Sequence, residues 1–306
     1  IARLLGRRKP HSRRYCQIHC TKWIKHLPSS SDSHVEVGFR GHQLIFNIRL
    51  GGRAISWQYQ GIELLGAAGE DPVEFGFYPM VPWAGRLVNN AIFVDGELSE
   101  QDVNYQGWAL HGVSFAHPLS SWNVIESEEC TTFIARQVIT DWASILDVTF
   151  TWNIRAHSLE TIIQVTPRSE VPTNIMVGWH PWFHKSLGVG SPAQLHIVKA
   201  KLLTKSDSLP TGELVDFDDS RGPFDDALIV SDRTITIDWP DALQLRVTNS
   251  YGWFVIYTGH KDLICVEPQT GAPNSLNGPF SESVVACSKS DPAYMKTQWG
   301  LKTLNE

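Results

Sequence analysis

Three stretches of this 306-residue chain place ionisable side chains inside apolar, aromatic surroundings. One is Gly178-Trp179-His180-Pro181-Trp182-Phe183, and a second is Leu263-Ile264-Cys265-Val266-Glu267-Pro268-Gln269. The third runs from Phe77-Tyr78-Pro79 through Gly85-Arg86 to Leu110-His111-Gly112. An unpaired charge in such a setting is costly, so each asks for a partner or a task. A histidine and a glutamate together present a proton and a vacant base near neutral pH, which is what concerted general acid–base catalysis requires. Taken singly, each residue also has an ordinary reading. His180 suits a satisfied core imidazole, Glu267 an edge-strand carboxylate, and Arg86 one half of a structural ion pair.

The elements that would carry these residues read as strands. His42–Leu50, Ile145–Trp152, Leu159–Val165, Thr234–Trp239 and Gln244–Thr248 are rich in β-branched and aromatic residues, several with period-two alternation. Turn formers separate them at Gly51-Gly52, Asp95-Gly96, Asn249-Ser250-Tyr251-Gly252 and Asn277-Gly278-Pro279. No sustained helical stripe and no internal repeat is present, so the pattern predicts an all-β fold, a large antiparallel β-sandwich.

Charge is unevenly placed. Residues 1–28 carry eight Lys or Arg and no acid, leaving 18 basic against 32 acidic residues in the remainder, a net of −14. A body that acidic is a poor nucleic-acid binder, because phosphate recognition needs a basic face. No run of about eighteen apolar residues suggests a membrane span. The odd, scattered set Cys16, Cys20, Cys130, Cys265 and Cys287 points to a reducing, cytoplasmic setting rather than a disulfide framework. Residues 1–34 are expected to be a basic extension without structure, with the β-sandwich domain over 35–306. Cys16, His19, Cys20 and His26 are a weak zinc signal within that tail, so no metal is expected. Twelve tryptophans fit a protein that stacks flat rings on sugars, although most tryptophans in any protein are core.

The three stretches, in this order, resemble the aldose 1-epimerase (galactose mutarotase) family. The resemblance covers about Val35 to the C-terminus and rests on Arg86 with Asn89 and Asp95-Gly96, Leu110-His111-Gly112, His180-Pro181-Trp182-Phe183, Asp225-Asp226-Ala227-Leu228 and Val266-Glu267-Pro268-Gln269. It implies a galactose mutarotase-like supersandwich. It also implies a catalytic pair, with His180 as general acid at the sugar ring oxygen and Glu267 as general base at the anomeric hydroxyl. Arg86, His111 and Asp225 would hold sugar hydroxyls, with Asp226 open as the alternative to Asp225, and Trp182, Trp179 and Trp83 are candidates to stack on the ring. Asn90 and Ile92 stand where the family usually has glycine and phenylalanine; asparagine tolerates a left-handed backbone, and isoleucine keeps that part of the core apolar. Trp179, ahead of His180 where a small polar residue is common, is expected to narrow the pocket.

The chemistry such a family performs asks for the same pair on independent grounds. Opening a hemiacetal takes a proton from the anomeric hydroxyl and gives one to the ring oxygen; closure on the other face reverses both. Two positioned groups suffice, so no cofactor is expected. A carboxylate beside His180 would raise its pKa and burial would lower it, and the sequence leaves that balance open. Alternatives are a mutarotase for a phosphorylated or otherwise anionic hexose, which should gather Arg or Lys around the anion where only Arg86, Lys185 and Lys261 stand near the three stretches, and a non-catalytic carbohydrate-binding protein on the same fold. A glycosidase needs two facing carboxylates where the stretches offer one. A small-molecule sugar is the expected partner, with the oligomeric state, monomer or dimer, left open.

Overall fold

The computed structural model describes residues 23–26, 33–94, 97–278 and 280–303. Almost all of the secondary structure is antiparallel strand, with a few single turns of 3-10 helix and no α-helix among the described residues. The expected strands are present with their ends shifted by a few residues, as His42–Asn47, Leu146–Arg155, Ser158–Pro167, Thr234–Trp239 and Leu243–Asn249. Their alternation has a direct consequence: Leu146–Arg155 buries every second residue from Leu146 to Ile154, because side chains along a strand point to opposite faces.

Two large sheets result. The nine-stranded sheet runs in the order 23–26, 121–126, 131–139, 146–155, 158–167, 293–303, 243–249, 234–239 and 194–197. The eleven-stranded sheet carries, in order, 209–216, 200–206, 225–230, 253–257, 263–269, 178–184, 77–80, 53–59, 42–47 and 34–39, with 62–63 appended to 53–59. Aromatic rings from both sheets meet between them: Phe77 lies 4.7 Å from Trp152 and 4.8 Å from Trp299, and Phe46 lies 4.1 Å from Phe133. Edge-to-face and offset contacts of this kind add to the stabilisation that burying large apolar rings provides.

Trp23–His26, within the stretch expected to be without structure, forms an edge strand against Ser121–Glu126. The rest of that stretch up to residue 32, including Cys16, His19 and Cys20, lies outside the described residues, as do the side chain of His26, Asp95-Gly96 and Pro279. Asn90 adopts the left-handed backbone expected of it (φ 53°), and Ile92 is buried in a small apolar cluster with Trp83, Leu87 and Ala109. Among the described residues no helix is long and apolar enough to cross a membrane.

Candidate active site

The eleven-stranded sheet builds the site by alternation. Four neighbouring strands, 225–230, 253–257, 263–269 and 178–184, turn Asp225 and Ala227, Val255 and Tyr257, Glu267 and Gln269, and His180 and Trp182 onto one cavity of about 340 Å³. The intervening residues Phe254, Ile256, Ile264, Val266, Trp179 and Phe183 belong to the core between the sheets. Arg86 and His111 enter from the loops above, so all six residues singled out in the sequence, His180, Glu267, Arg86, His111, Asp225 and Trp182, line the same cavity.

At its floor His180 Nε2 lies 3.3 Å from Glu267 Oε1, with the two side chains 7% and 3% exposed. Burial pushes Glu267 well above the usual carboxylate range; the nearby Asp225 charge pushes the same way, while Arg86 and the Gln269 amide, which donates to Oε2 at 3.4 Å, pull back. Burial likewise depresses His180 to about 3. Desolvation therefore wins over the neighbouring carboxylate, and burial favours an uncharged imidazole beside a protonated carboxyl. That arrangement holds the same single proton as an imidazolium–carboxylate pair, differing only by its transfer across the contact.

His111 is positioned by its backbone. It adopts a left-handed conformation (φ 60°) that bulky residues rarely hold, followed by Gly112 (φ 74°), where a Cβ would come within 2.1 Å of the Val81 carbonyl oxygen. The Gly85 N–H donates to His111 Nδ1 at 3.2 Å, and the His111 N–H donates to the Gly85 carbonyl at 3.1 Å. With Nδ1 accepting, the neutral ring carries its proton on Nε2, the nitrogen left for the cavity. Burial holds His111 well below the usual histidine range, with His180 and Arg86 adding to the effect.

His111, His180 and Glu267 could each offer a ligand atom within 4.8 Å of the others, a spacing that would suit a metal ion. The Gly85 N–H argues against that use: an imidazole that accepts at Nδ1 presents an N–H at Nε2, not a lone pair. Such a donor suits a hydroxyl.

At the mouth Arg86 Nη1 lies 3.7 Å from Asp225 Oδ2, both partly exposed. Asp226, the alternative to Asp225, is instead ion-paired to Lys205 Nζ at 3.0 Å and does not line the cavity. Two expectations are corrected. Trp179 is fully buried between the sheets, edge-on to Phe77 and Trp152, and Trp83 packs at 5.9 Å on Trp142, so neither faces the cavity and Trp179 does not narrow it. Of the cations expected nearby, Lys185 donates to the Thr258 and His260 carbonyls, and Lys261 is exposed beside Asp262; neither lines the cavity, whereas Lys205 does.

Sequence reasoning missed Tyr78, whose ring stacks on His180 at 4.7 Å and 14°, and Glu74, which accepts from Tyr105 Oη at 2.6 Å on the cavity wall. Tyr78 pairs directly with His180 in the sheet register, a relation that residue types alone do not carry. Glu74 and Tyr105 lie on loops, where no periodicity signals orientation.

Fold and cavity together define a two-sheet β-sandwich of the galactose mutarotase-like class, with a buried His–Glu pair at the floor of a pocket. The chain belongs to the aldose 1-epimerase family, whose sequence profile matches residues 43–284. It is similar in structure to a galactose mutarotase-like protein from Clostridium acetobutylicum (TM-score 0.79, 15% identity, covering 93% of this chain and 99% of that one). It is also similar to a galactose mutarotase-like protein from Lactobacillus casei (TM-score 0.70, 15% identity, 88% and 100%) and an aldose epimerase homologue from C. elegans (TM-score 0.69, 16% identity, 89% and 99%). At these identities the likenesses speak for the fold. A search of curated protein sequences found no match.

Proposed function

We propose that the protein interconverts the α and β anomers of a free, neutral hexose without a cofactor. The observation that carries this reading is the 3.3 Å contact between His180 Nε2 and Glu267 Oε1 on the cavity floor. Both protons that move in hemiacetal opening belong to oxygens bonded to one carbon, so the groups that exchange them must sit side by side. Glu267, as carboxylate, takes the anomeric hydroxyl proton while His180, as imidazolium, protonates the ring oxygen; after rotation about the C1–C2 bond of the open aldehyde both transfers reverse. Sugar oxygens entering between the two groups solvate the charged tautomer that burial disfavours. His111 Nε2–H, the Arg86 guanidinium and the Asp225 carboxylate hold hydroxyls, and Trp182 offers an apolar ring to the sugar face.

Charge balance supports a neutral substrate. The cavity's cations Arg86 and Lys205 are already engaged by Asp225 and Asp226, and Glu74 adds a further acid at the wall; an anionic sugar would meet no unmatched positive charge. A pure binder would have no use for an acid and a base in contact. The described cysteines, Cys130, Cys265 and Cys287, are free, in keeping with a reducing, cytoplasmic location.

Polarimetry or NMR on freshly dissolved α-glucose and α-galactose tests the proposal: the protein should hasten anomer equilibration far beyond the spontaneous rate. Binding without acceleration across a sugar panel would hand the site to the carbohydrate-binding reading, and acceleration confined to phosphosugars to the anionic one.

A further inference from the structure

Arg53 is fully buried near the cavity, yet among the described residues no carboxylate lies within ion-pair distance of it. Its guanidinium donates instead to main-chain carbonyls, those of Leu50 (3.3 Å), Phe75 (3.0 Å), Phe115 (2.9 Å) and Pro72. Its Cζ lies 4.4 Å from the centre of the Phe75 ring and 4.8 Å from that of Tyr78. A charged group taken out of water with only neutral acceptors is a costly arrangement for a fold to keep. Lysine could not reproduce it, because the planar fork reaches several acceptors in fixed directions where an ammonium is a point charge.

What the fork holds is the short segment from Pro72 to Phe75. In its middle the Val73 carbonyl accepts from both Tyr78 Oη and Trp182 Nε1, each at 2.9 Å. Those are the two rings that flank His180, Tyr78 stacked at 4.7 Å and Trp182 tilted at 5.2 Å. The His180 imidazole needs this outside help, since its buried Nδ1 has no hydrogen-bond partner in any other described residue and only its own backbone beside it. The usual device for orienting a working histidine, an acceptor on its second nitrogen, is therefore replaced here by ring packing.

We propose that Arg53 is a positioning residue for His180: by holding Pro72 and Phe75 it places the carbonyl that anchors both flanking rings, and it sets a fixed positive charge beside that stack. The titratable or charged groups around His180 are Glu267 from the strand Leu263–Gln269, His111 from the loop ending at Gly112, Tyr78 from the strand Phe77–Met80 and Arg53 from the strand Arg53–Tyr59. Burial is the main cause of the depressed His180 pKa, and the Arg53 charge lowers it further. Arg53 itself is brought down by burial to about 10 and so stays charged at neutral pH. An imidazolium held next to that charge gives up its proton readily, which suits a general acid.

This inference rests on the acid role proposed for His180, and the experiment separates the two. The His180 ring is followed by NMR in the full chain while mutarotation kcat and KM are measured for wild type, Arg53→Lys and Arg53→Met. In wild type the ring should stay unprotonated at about pH 5, where an ordinary histidine is mostly charged. Arg53→Met should move its titration upward by about one pH unit. Arg53→Lys keeps the charge and should leave the titration in place while kcat falls about 10- to 100-fold and KM changes less than about threefold. An unmoved titration in Arg53→Met together with a kcat within about threefold of wild type in Arg53→Lys overturns the proposal. Should neither variant fold, Tyr78→Phe, which keeps the ring and removes the hydroxyl that donates to Val73, decides: a several-fold drop in kcat at constant KM supports the inference, and an unchanged kcat refutes it. If wild type does not accelerate mutarotation but Arg53→Met still shifts His180, the enzymatic reading fails while the positioning of His180 by Arg53 stands.

Discussion

His180 and Glu267 lie on neighbouring strands, Gly178–His184 and Leu263–Gln269, with Nε2 and Oε1 3.3 Å apart and both side chains almost sealed from solvent. Their protons are best counted together. In the unfolded chain the histidine titrates near its ordinary value of 6.5 and the glutamate near 4.5. In the folded chain the imidazole takes up no proton until about pH 3, and the carboxyl keeps its own well above 4.5. Between pH 4.5 and 6.5 each state therefore holds one proton across the pair, and the pair adds no slope to stability. Below 4.5 the unfolded chain binds the second proton first, so stability falls with pH. Above 6.5 the unfolded chain has released both while the fold retains one, so stability falls as pH rises through the folded pKa of Glu267.

Replacing Glu267 by Gln should separate function from stability. The amide cannot take a proton from the anomeric hydroxyl, and kcat should drop on the order of 10²–10⁴-fold. The same change removes a group whose ionisation the fold opposes, so the variant should gain about 0.5–2 kcal/mol at pH 8, with a flatter decline above pH 6.5 than wild type. Denaturant melts at pH 5.5 and pH 8, paired with polarimetry, read both effects. A variant that loses activity and stability together at pH 8 would contradict the burial argument.

Asp225→Asn tests the electrostatics from the other side. The Asp225 charge helps to hold the Glu267 pKa high, so neutralising it should lower that pKa and move the alkaline limb of the kcat/KM profile to lower pH. Loss of a charged acceptor for a sugar hydroxyl should also raise KM, about 10-fold or more if the bond is worth the usual 1.5–3 kcal/mol of a hydrogen bond to a charged group. Asp226→Asn removes the carboxylate that faces Lys205 and keeps an acceptor for the Asp225 N–H, and it should leave the alkaline limb in place. Equal shifts in the two variants would mean that the faces of the strand Asp225–Val230 have been assigned wrongly.

Much of this was legible in the sequence. Period-two alternation is a local property of the chain, so strands such as Leu146–Arg155 and Thr234–Trp239 declared themselves, and the ordered motifs singled out His180 and Glu267. Which face a residue takes in a strand buried on both sides was not legible. Every residue from Gly178 to Phe183 is buried, so no polar residue marks the solvent side, and Trp179 and Trp182 looked alike. Arg53 was hidden for a different reason: its partners are carbonyls 3 to 62 residues away, and main-chain acceptors leave no trace in residue types.

The two tryptophans supply the last test, because alternation gives them opposite duties. Trp182 shares its face with His180, donates Nε1 to the Val73 carbonyl and lines the cavity; Trp179, three residues earlier, lies in the core against Phe77, Phe150 and Trp152. Trp182→Ala should therefore act mainly on the sugar, raising KM and lowering kcat as the imidazole loses a flanking ring, with a modest change in melting temperature. Trp179→Ala should do the reverse: it leaves a large void between the sheets, costs about 3–5 kcal/mol of stability, and preserves KM in whatever fraction remains folded. Thermal melts and initial-rate kinetics on the two proteins distinguish these patterns. If Trp179→Ala were as stable as wild type but bound sugar poorly, His180 could not share a face with Trp182, and the cavity built from alternate residues of four strands would have to be redrawn.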